Sequence, residues 1–178
     1  MSPEQQAGMN EQQAQGYFLQ ALHAELLRVL PPKCHKRLDS WMENGTIKLE
    51  PKNMGPTGSN VGWLTYQAVF TVEQLPFRDL DPAILLAVVA AWVQEHDDYR
   101  EDFELPDPEY AVTPNDEQTA DLEIQLAFAE PLRLIEQING PIHWLGKCWQ
   151  VAPYAIWVAE QIDLQVGNAG HHLVGGPA

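Results

Sequence analysis

Eight carboxylates crowd into the fifteen positions from 95 to 109: Glu95, Asp97, Asp98, Glu101, Asp102, Glu104, Asp107 and Glu109. Only here does the chain concentrate the oxygen donors that calcium binding or metal-assisted hydrolysis would need. A calcium loop also requires ligands at regular offsets and a glycine at its sharp turn, and the tract holds no glycine. We therefore expect no metal and read the tract as a solvated acidic loop leaving a helix. Carboxylates near a helix C-terminus oppose its dipole. That mild cost points to another use, contact with a basic surface.

The remaining reactive side chains do not form a site by spacing. His23 falls on a polar helix face, His96 at a helix end, His143 in a hairpin and His171-His172 near the end of the chain, and no HExxH pair occurs. Cys34 adjoins His35 and Cys148 lies five residues from His143. Adjacency alone does not make a thiol–imidazole pair. Ser2, Ser40 and Ser59 are the only serines and none sits in a GxSxG elbow. GPTGSN at Gly55–Asn60 lacks the lysine of a phosphate-binding loop. The six tryptophans have no basic groove around them and read as core and interface anchors. No cofactor is expected.

The 178 residues and a hydrophobic fraction of 45% suit one domain with a real core. A net charge of −15 argues against wrapping nucleic acid, which takes clustered Lys and Arg. Cys34 and Cys148 fit no zinc or redox spacing, so a reduced cytoplasmic history is the default. No signal peptide or membrane span is expected. The charge is uneven: six of the ten basic residues (Arg28, Lys33, Lys36, Arg37, Lys48, Lys52) fall between 28 and 52, while Glu73–Glu136 holds seventeen acidic residues. This fits two solvated faces, or two complementary patches meeting head to tail between identical subunits.

These groups must be carried by recognisable elements. Residues 1–16, Gln- and Glu-rich, read as a flexible arm. Phe18, Leu19, Leu22, Leu26, Val29 and Leu30 predict an amphipathic helix over Gln15–Leu30, stopped by Pro31-Pro32. Leu38, Trp41 and Met42 predict a short helix over His35–Glu43, closed by Asn44-Gly45, with a strand at Thr46–Glu50 and a loop at Pro51–Asn60. Gly62–Glu73 alternates as a long strand with Leu64, Tyr66, Ala68, Phe70 and Val72 inward. Asp81 and Pro82 then open a helix whose residues Ala83–Val93 are all apolar. That run falls short of the roughly 20 residues a bilayer needs. A helix without a polar face needs cover on several sides, from a second layer or a neighbouring subunit. Tyr110–Thr113 reads as a strand, Pro114–Glu117 as a turn and Ala120–Ala129 as a strand. Leu132–Ile138 and Ile142–Leu145 read as a hairpin about Asn139-Gly140. Tyr154–Leu164 fits helix or strand, and Gly167–Ala178 is expected to be disordered. The fold class is α+β, a mostly antiparallel sheet packed with two main helices over 17–152, followed by an extension over 153–178.

Taken in order, MENGTIKL, VGWLTYQAVFTVEQL, DLDPAILLAVVAAWVQEH and EYAVTPNDEQTADLEIQLAFAEPL, with a hairpin after them, resemble the tail completion protein R (GpR) family of P2-like contractile-tailed phages over about residues 38–145. The blocks contain no catalytic signature. The resemblance implies a tail-terminator-like fold and a non-enzymatic role in the virion: a hexameric ring that caps the head-proximal end of the tail tube. Its partners would be further copies of itself, tube and sheath proteins, and the head connector. DNA would pass through without being bound, and assembly would take place in the bacterial cytoplasm. The Gln-rich start and the extension after Leu145 depart from the family pattern.

On this reading Lys33, Lys36 and Arg37 are subunit-interface candidates facing Asp97, Asp98 and Glu101 of a neighbour. Asp121 and Glu123, with some of Glu95–Glu109, are candidates for a channel lining. Trp63, Phe70, Trp92 and Leu126 are core anchors. The competing readings are a head–tail connector subunit, a transient assembly chaperone, and a small metal-dependent hydrolase using the acidic tract.

Overall fold

The computed structural model describes residues 17–53, 55 and 58–152. The expectations for the arm at 1–16 and for Tyr154–Leu164 and Gly167–Ala178 lie outside those residues. Helix α1 spans Phe18–Val29. The Gln20 side chain accepts from the Tyr17 N–H at 3.0 Å, the return half of a capping box. The helix gives way at Leu30, which turns extended ahead of Pro31. Helix α2 spans Pro82–His96, with Pro82 in its first turn, and the Asp81 carboxylate accepts from the Ala83 N–H at 2.9 Å.

Seven strands form one antiparallel sheet: β1 (Leu38–Lys48), β2 (Lys52–Asn53), β3 (Ser59–Leu75), β4 (Glu109–Pro114), β5 (Ala120–Glu136), β6 (Ile142–Trp144) and β7 (Lys147–Val151). The main order is β1-β3-β5-β7-β6, with β2 also on β3 and β4 also on β5. Strands β4 and β7 share one edge of β5. The first pairs with residues 120–125 and the second with 134–136, so a gap separates them.

The fold is α+β, as expected, with both helices on one side of the sheet. Tyr66, Ala68, Phe70 and Val72 of β3 and Leu122, Ile124, Leu126 and Phe128 of β5 point to that side and are buried. Phe18 of α1 and Trp92 of α2 meet Phe128 edge-on, at centroid distances of 5.4 and 6.0 Å. A buried carboxylate sets the start of α1: Glu130 accepts from the Phe18 N–H at 2.8 Å and from the Tyr66 hydroxyl. That supplies an acceptor where the unpaired N–H groups of a helix N-terminus need one.

Two local expectations fail. No α-helix forms over His35–Glu43. A 3-10 turn covers Pro32–Arg37 and β1 starts at Leu38, directly paired with Val72. The helical spacing of Leu38, Trp41 and Met42 yields to the long free edge of β3, a tertiary contact that outweighs local preference. Asn44, with φ +50°, belongs to a bulge between Glu43 and Thr46 and does not stop a helix.

The second concerns the hairpin. Leu132–Glu136 continues β5, and the tight turn is Leu145-Gly146, with Trp144 paired to Lys147 and φ +51° and +73° at the two turn residues. These are the positive angles of a type I′ turn. Gly140 is required for another reason: a Cβ there would lie 2.3 Å from the Trp149 carbonyl oxygen. Pro131 fits inside β5 because the carbonyls of Ala127 and Arg133, at the same parity, face the strand's outer edge. The missing N–H falls in the gap between β4 and β7.

Candidate functional site

The acidic tract is organised around its single base. Asp97 ends α2 with its side chain fully covered, and Arg100 Nε donates to Asp97 Oδ2 at 3.2 Å. The same guanidinium donates to the Pro106 carbonyl and, at 3.0 Å, to the Ala127 carbonyl at the open stretch of β5. Arg100 thus closes its own loop and plugs the gap left between β4 and β7. Burial pushes the Asp97 carboxyl up from its usual range, against the pull of Arg100. Asp97 Oδ1 has no hydrogen-bond partner. Asp98, Glu101, Asp102, Glu104, Asp107 and Glu109 are exposed. Among the described residues no three His, Cys, Asp or Glu side chains are grouped as a metal would need.

The histidines serve the fold. His23 Nδ1 lies 2.7 Å from Ser40 Oγ, joining α1 to β1, and burial lowers its pKa. His35 and His96 donate to the carbonyls of Leu30 and Trp92 at 2.9 and 3.0 Å, and so tie down the ends of α1 and α2. His143 and Cys148 are cross-strand partners with Nδ1 and Sγ 3.5 Å apart. Among the described residues no third group hydrogen-bonds the imidazole, as nucleophilic catalysis would require. Cys34 is buried in the core.

The charged candidates divide between internal and external duty. Lys33 pairs with Asp79 at 3.1 Å, with both side chains more than half exposed, and Lys36 is exposed. Arg37 donates to the Gln74 carbonyl at 2.7 Å. Asp121 accepts from the Gln74 N–H at 2.8 Å and from the Asn115 amide at 2.7 Å, bonds that hold its pKa below the usual carboxylate range. Within one chain, then, Arg37 and Asp121 meet at Gln74. Asp97 is turned inward, leaving Asp98 and Glu101 as the exposed members of the acidic trio. Of the anchors, Phe70, Trp92 and Leu126 are buried in the helix-side core. Trp63 points to the other side of the sheet, where Tyr99 and Phe103 cover it at 4.9 and 4.8 Å. Glu130, Gln74 and Arg100 were not foreseen as organising residues. The one available signal was Arg100, the sole base between Asp79 and Leu132.

Directly paired residues of an antiparallel ladder share a face. On the side away from the helices this places Asp39 and Glu43 of β1, Glu109 of β4 and Asp121 and Glu123 of β5 together. Thr65, Gln67, Thr71 and Gln125 lie between them. Of the bases near this face, Lys48 and Arg133 sit at the Trp63 end and Arg37 at the other, beside Gln74 and Asp121. On the helix side, α2 buries Leu85, Val89, Trp92 and Val93 but leaves Ala83, Ile84, Ala87, Ala90 and Ala91 exposed. No helix among the described residues is long and apolar enough to cross a membrane.

The fold has open sheet edges and an acidic face. The family described as P2 phage tail completion protein R (GpR) matches residues 16–153, and the chain belongs to that family. It is a phage tail completion protein, a virion component that works with other tail parts. A similar protein is an uncharacterised 19.2 kDa protein of the rep-hol intergenic region of Haemophilus phage HP1 (strain HP1c1). The two are 33% identical over 153 residues, 86% of this chain and 92% of that one. No solved structure matches the chain.

Proposed function

We propose that the chain is a non-enzymatic tail terminator, a hexameric ring that closes the head-proximal end of the tail tube and meets the head connector. The observation that carries this reading beyond tail completion in general is the open face of the sheet. Asp39, Glu43, Glu109, Asp121 and Glu123 share it, with Lys48 and Arg133 at its Trp63 end and Arg37, committed to the Gln74 carbonyl, beside Asp121 at the other. A channel through which DNA must pass without being held is suited by carboxylates, since a basic lining would retain phosphate. We assign this face, Asp121 and Glu123 included, to the lumen.

Electron microscopy of the purified protein and of tails made without it tests the reading. Rings with six-fold symmetry, and knockout tails that fail to join filled heads, are expected. Normal joining without the protein excludes it. Glu43→Arg with Glu123→Arg is expected to leave folding and ring formation intact while slowing DNA ejection. Unchanged ejection at low salt would remove the lumen assignment. Mass spectrometry of purified virions distinguishes a resident part from a departing chaperone.

A further inference from the structure

The helix side of the sheet is not fully closed. Between α2 and β4 runs a groove of about 410 Å³ lined by Leu86, Val89, Val93, Tyr110 and Ile124, with Asp107 and Glu109 beside it at the start of β4. Arg100 also lines it, but its donors are committed to Asp97, Pro106 and Ala127. The groove is therefore mainly apolar, and the Glu109 side chain, by pleat parity, lies on the other face of the same strand. Beside it β4 is exposed along its whole length, with Tyr110 and Val112 62% and 42% exposed, and no strand pairs with its outer edge among the described residues.

The opposite edge of the same sheet carries the complement. At the end of β1, Ile47 is 58% exposed, and Leu49, one residue past the strand, is 82% exposed. Lys48 lies between them, on the other face of the strand, and Lys52 follows, within the segment that holds most of the chain's positive charge. Lys48 has a 3.6 Å contact to Glu50 with both side chains more than half exposed, a weak pairing that a better partner can replace. The outer edge of β1 is also without a strand partner among the described residues. An apolar strand edge with a lysine on its other face fits an apolar groove whose bordering strand carries a carboxylate on its other face.

We propose that the groove between α2 and β4 receives the β1 end of a second copy of this chain, with Ile47 and Leu49 inserted on the helix side and Lys48, of opposite pleat parity, meeting Glu109 on the other face of the joined strands. The inference rests on the ring reading above and names its contact surfaces. Pleat parity supports it. Ile47 pairs with Leu64, Tyr110 with Ile124 and Val112 with Leu122, all on the helix side. Adding β1 of one copy to β4 of the next keeps Ile47 and Leu49 on the side where the groove lies. It also keeps the acidic faces of successive copies on one common side. Because the two surfaces are different patches on opposite edges, the contact is heterologous, the kind that propagates around a ring.

The test uses the full chain with Leu49→Cys and Tyr110→Cys, and Cys148→Ser to remove the accessible native thiol. Within one chain the two positions are separated by three strand spacings and about seven residues along the strands, roughly 27 Å. A disulfide spans about 5.5 Å between Cα atoms, so only a second chain can satisfy it. Oxidation is expected to give disulfide-linked multimers that end at one closed species. Leu49→Glu in the otherwise native chain is expected to weaken self-association at least tenfold with an unchanged melting temperature. If the native chain forms rings but neither effect appears, the docking surface is wrong and the ring stands. A chain that is monomeric both alone and on tails overturns both. Cross-links from either cysteine to a different tail protein overturn the second copy as occupant.

Discussion

Arg37 and Asp121 hold the same residue from opposite ends. The guanidinium donates to the Gln74 carbonyl and the carboxylate accepts from the Gln74 N–H. Gln74 lies at a bulge of β3 with φ +50°, a conformation that non-glycine residues adopt at a cost and that needs outside support. Two charges that look like surface features in the sequence thus fix the end of the central strand.

That arrangement sets a pH dependence. The folded-state pKa of Asp121 is depressed, so its contribution is present above the unfolded value of about 3.9 and is lost as pH falls through the folded one. Asp121→Asn is expected to melt below the parent at neutral pH, with the gap constant above about pH 5 and closing below about pH 4. Melting temperatures from pH 2 to 7 check this. A gap that persists unchanged at pH 2 rules it out.

Asp97 has the opposite sign. Its folded pKa is raised, so the native state holds the proton more tightly and stability falls as pH rises from about 3.9 through the folded value. Asp97→Asn is expected to flatten that slope in the same melts. Arg100→Ala leaves the buried carboxylate without its counter-ion and is expected to cost about 3–5 kcal/mol, measured by urea unfolding at pH 7.

Leu145 is the first residue of the type I′ turn at φ +51° and is 75% exposed. Leucine gains little there from burial and carries the steric cost of a left-handed backbone. Leu145→Asn is expected to stabilise the fold by about 0.5–1 kcal/mol. Gly146→Ala, at φ +73°, is expected to destabilise it by about 1 kcal/mol. Equal denaturation midpoints for both variants and the parent would contradict the turn assignment.

What the sequence makes legible follows from how local the cause is. Asp81-Pro82 announces α2 because cap and helix start are neighbours, and the alternation of Leu64–Val72 announces β3 because one buried face repeats at every second residue. The segment at 35–43 misleads because its spacing satisfies a helix while the free edge of β3, contiguous only in space, takes it as a strand. Asn139-Gly140 misleads because it does make a turn, with Asn139 at φ +67° and the Gly140 N–H on the Gln137 carbonyl, but the strand after it pairs with β7 and not with β5. The acidic tract reads as a uniform patch until Arg100 is seen to hold Asp97 inward and leave the rest exposed. Spacing along a chain carries no information on which carbonyls a guanidinium will reach.

The two tryptophans first taken together as anchors are expected to separate under mutation. Trp92, 6% exposed among Phe18, Phe128 and His96, is expected to cost about 3–5 kcal/mol on replacement by alanine. Trp63, half-buried under Tyr99 and Phe103, is expected to cost about 1–2 kcal/mol. Denaturant melts of both variants decide it, and equal losses would place the two residues in equivalent surroundings.

The bond from Glu130 to the Phe18 N–H spans 112 residues of sequence. A ribosome adding about 5–20 residues per second reaches Glu130 several seconds after Phe18. Throughout that interval the first helix has neither its acceptor nor the β5 side chains that cover it. Docking of the first helix therefore waits on synthesis of the second half, and a chain cut short before residue 130 is expected to leave that helix without its acceptor and its cover.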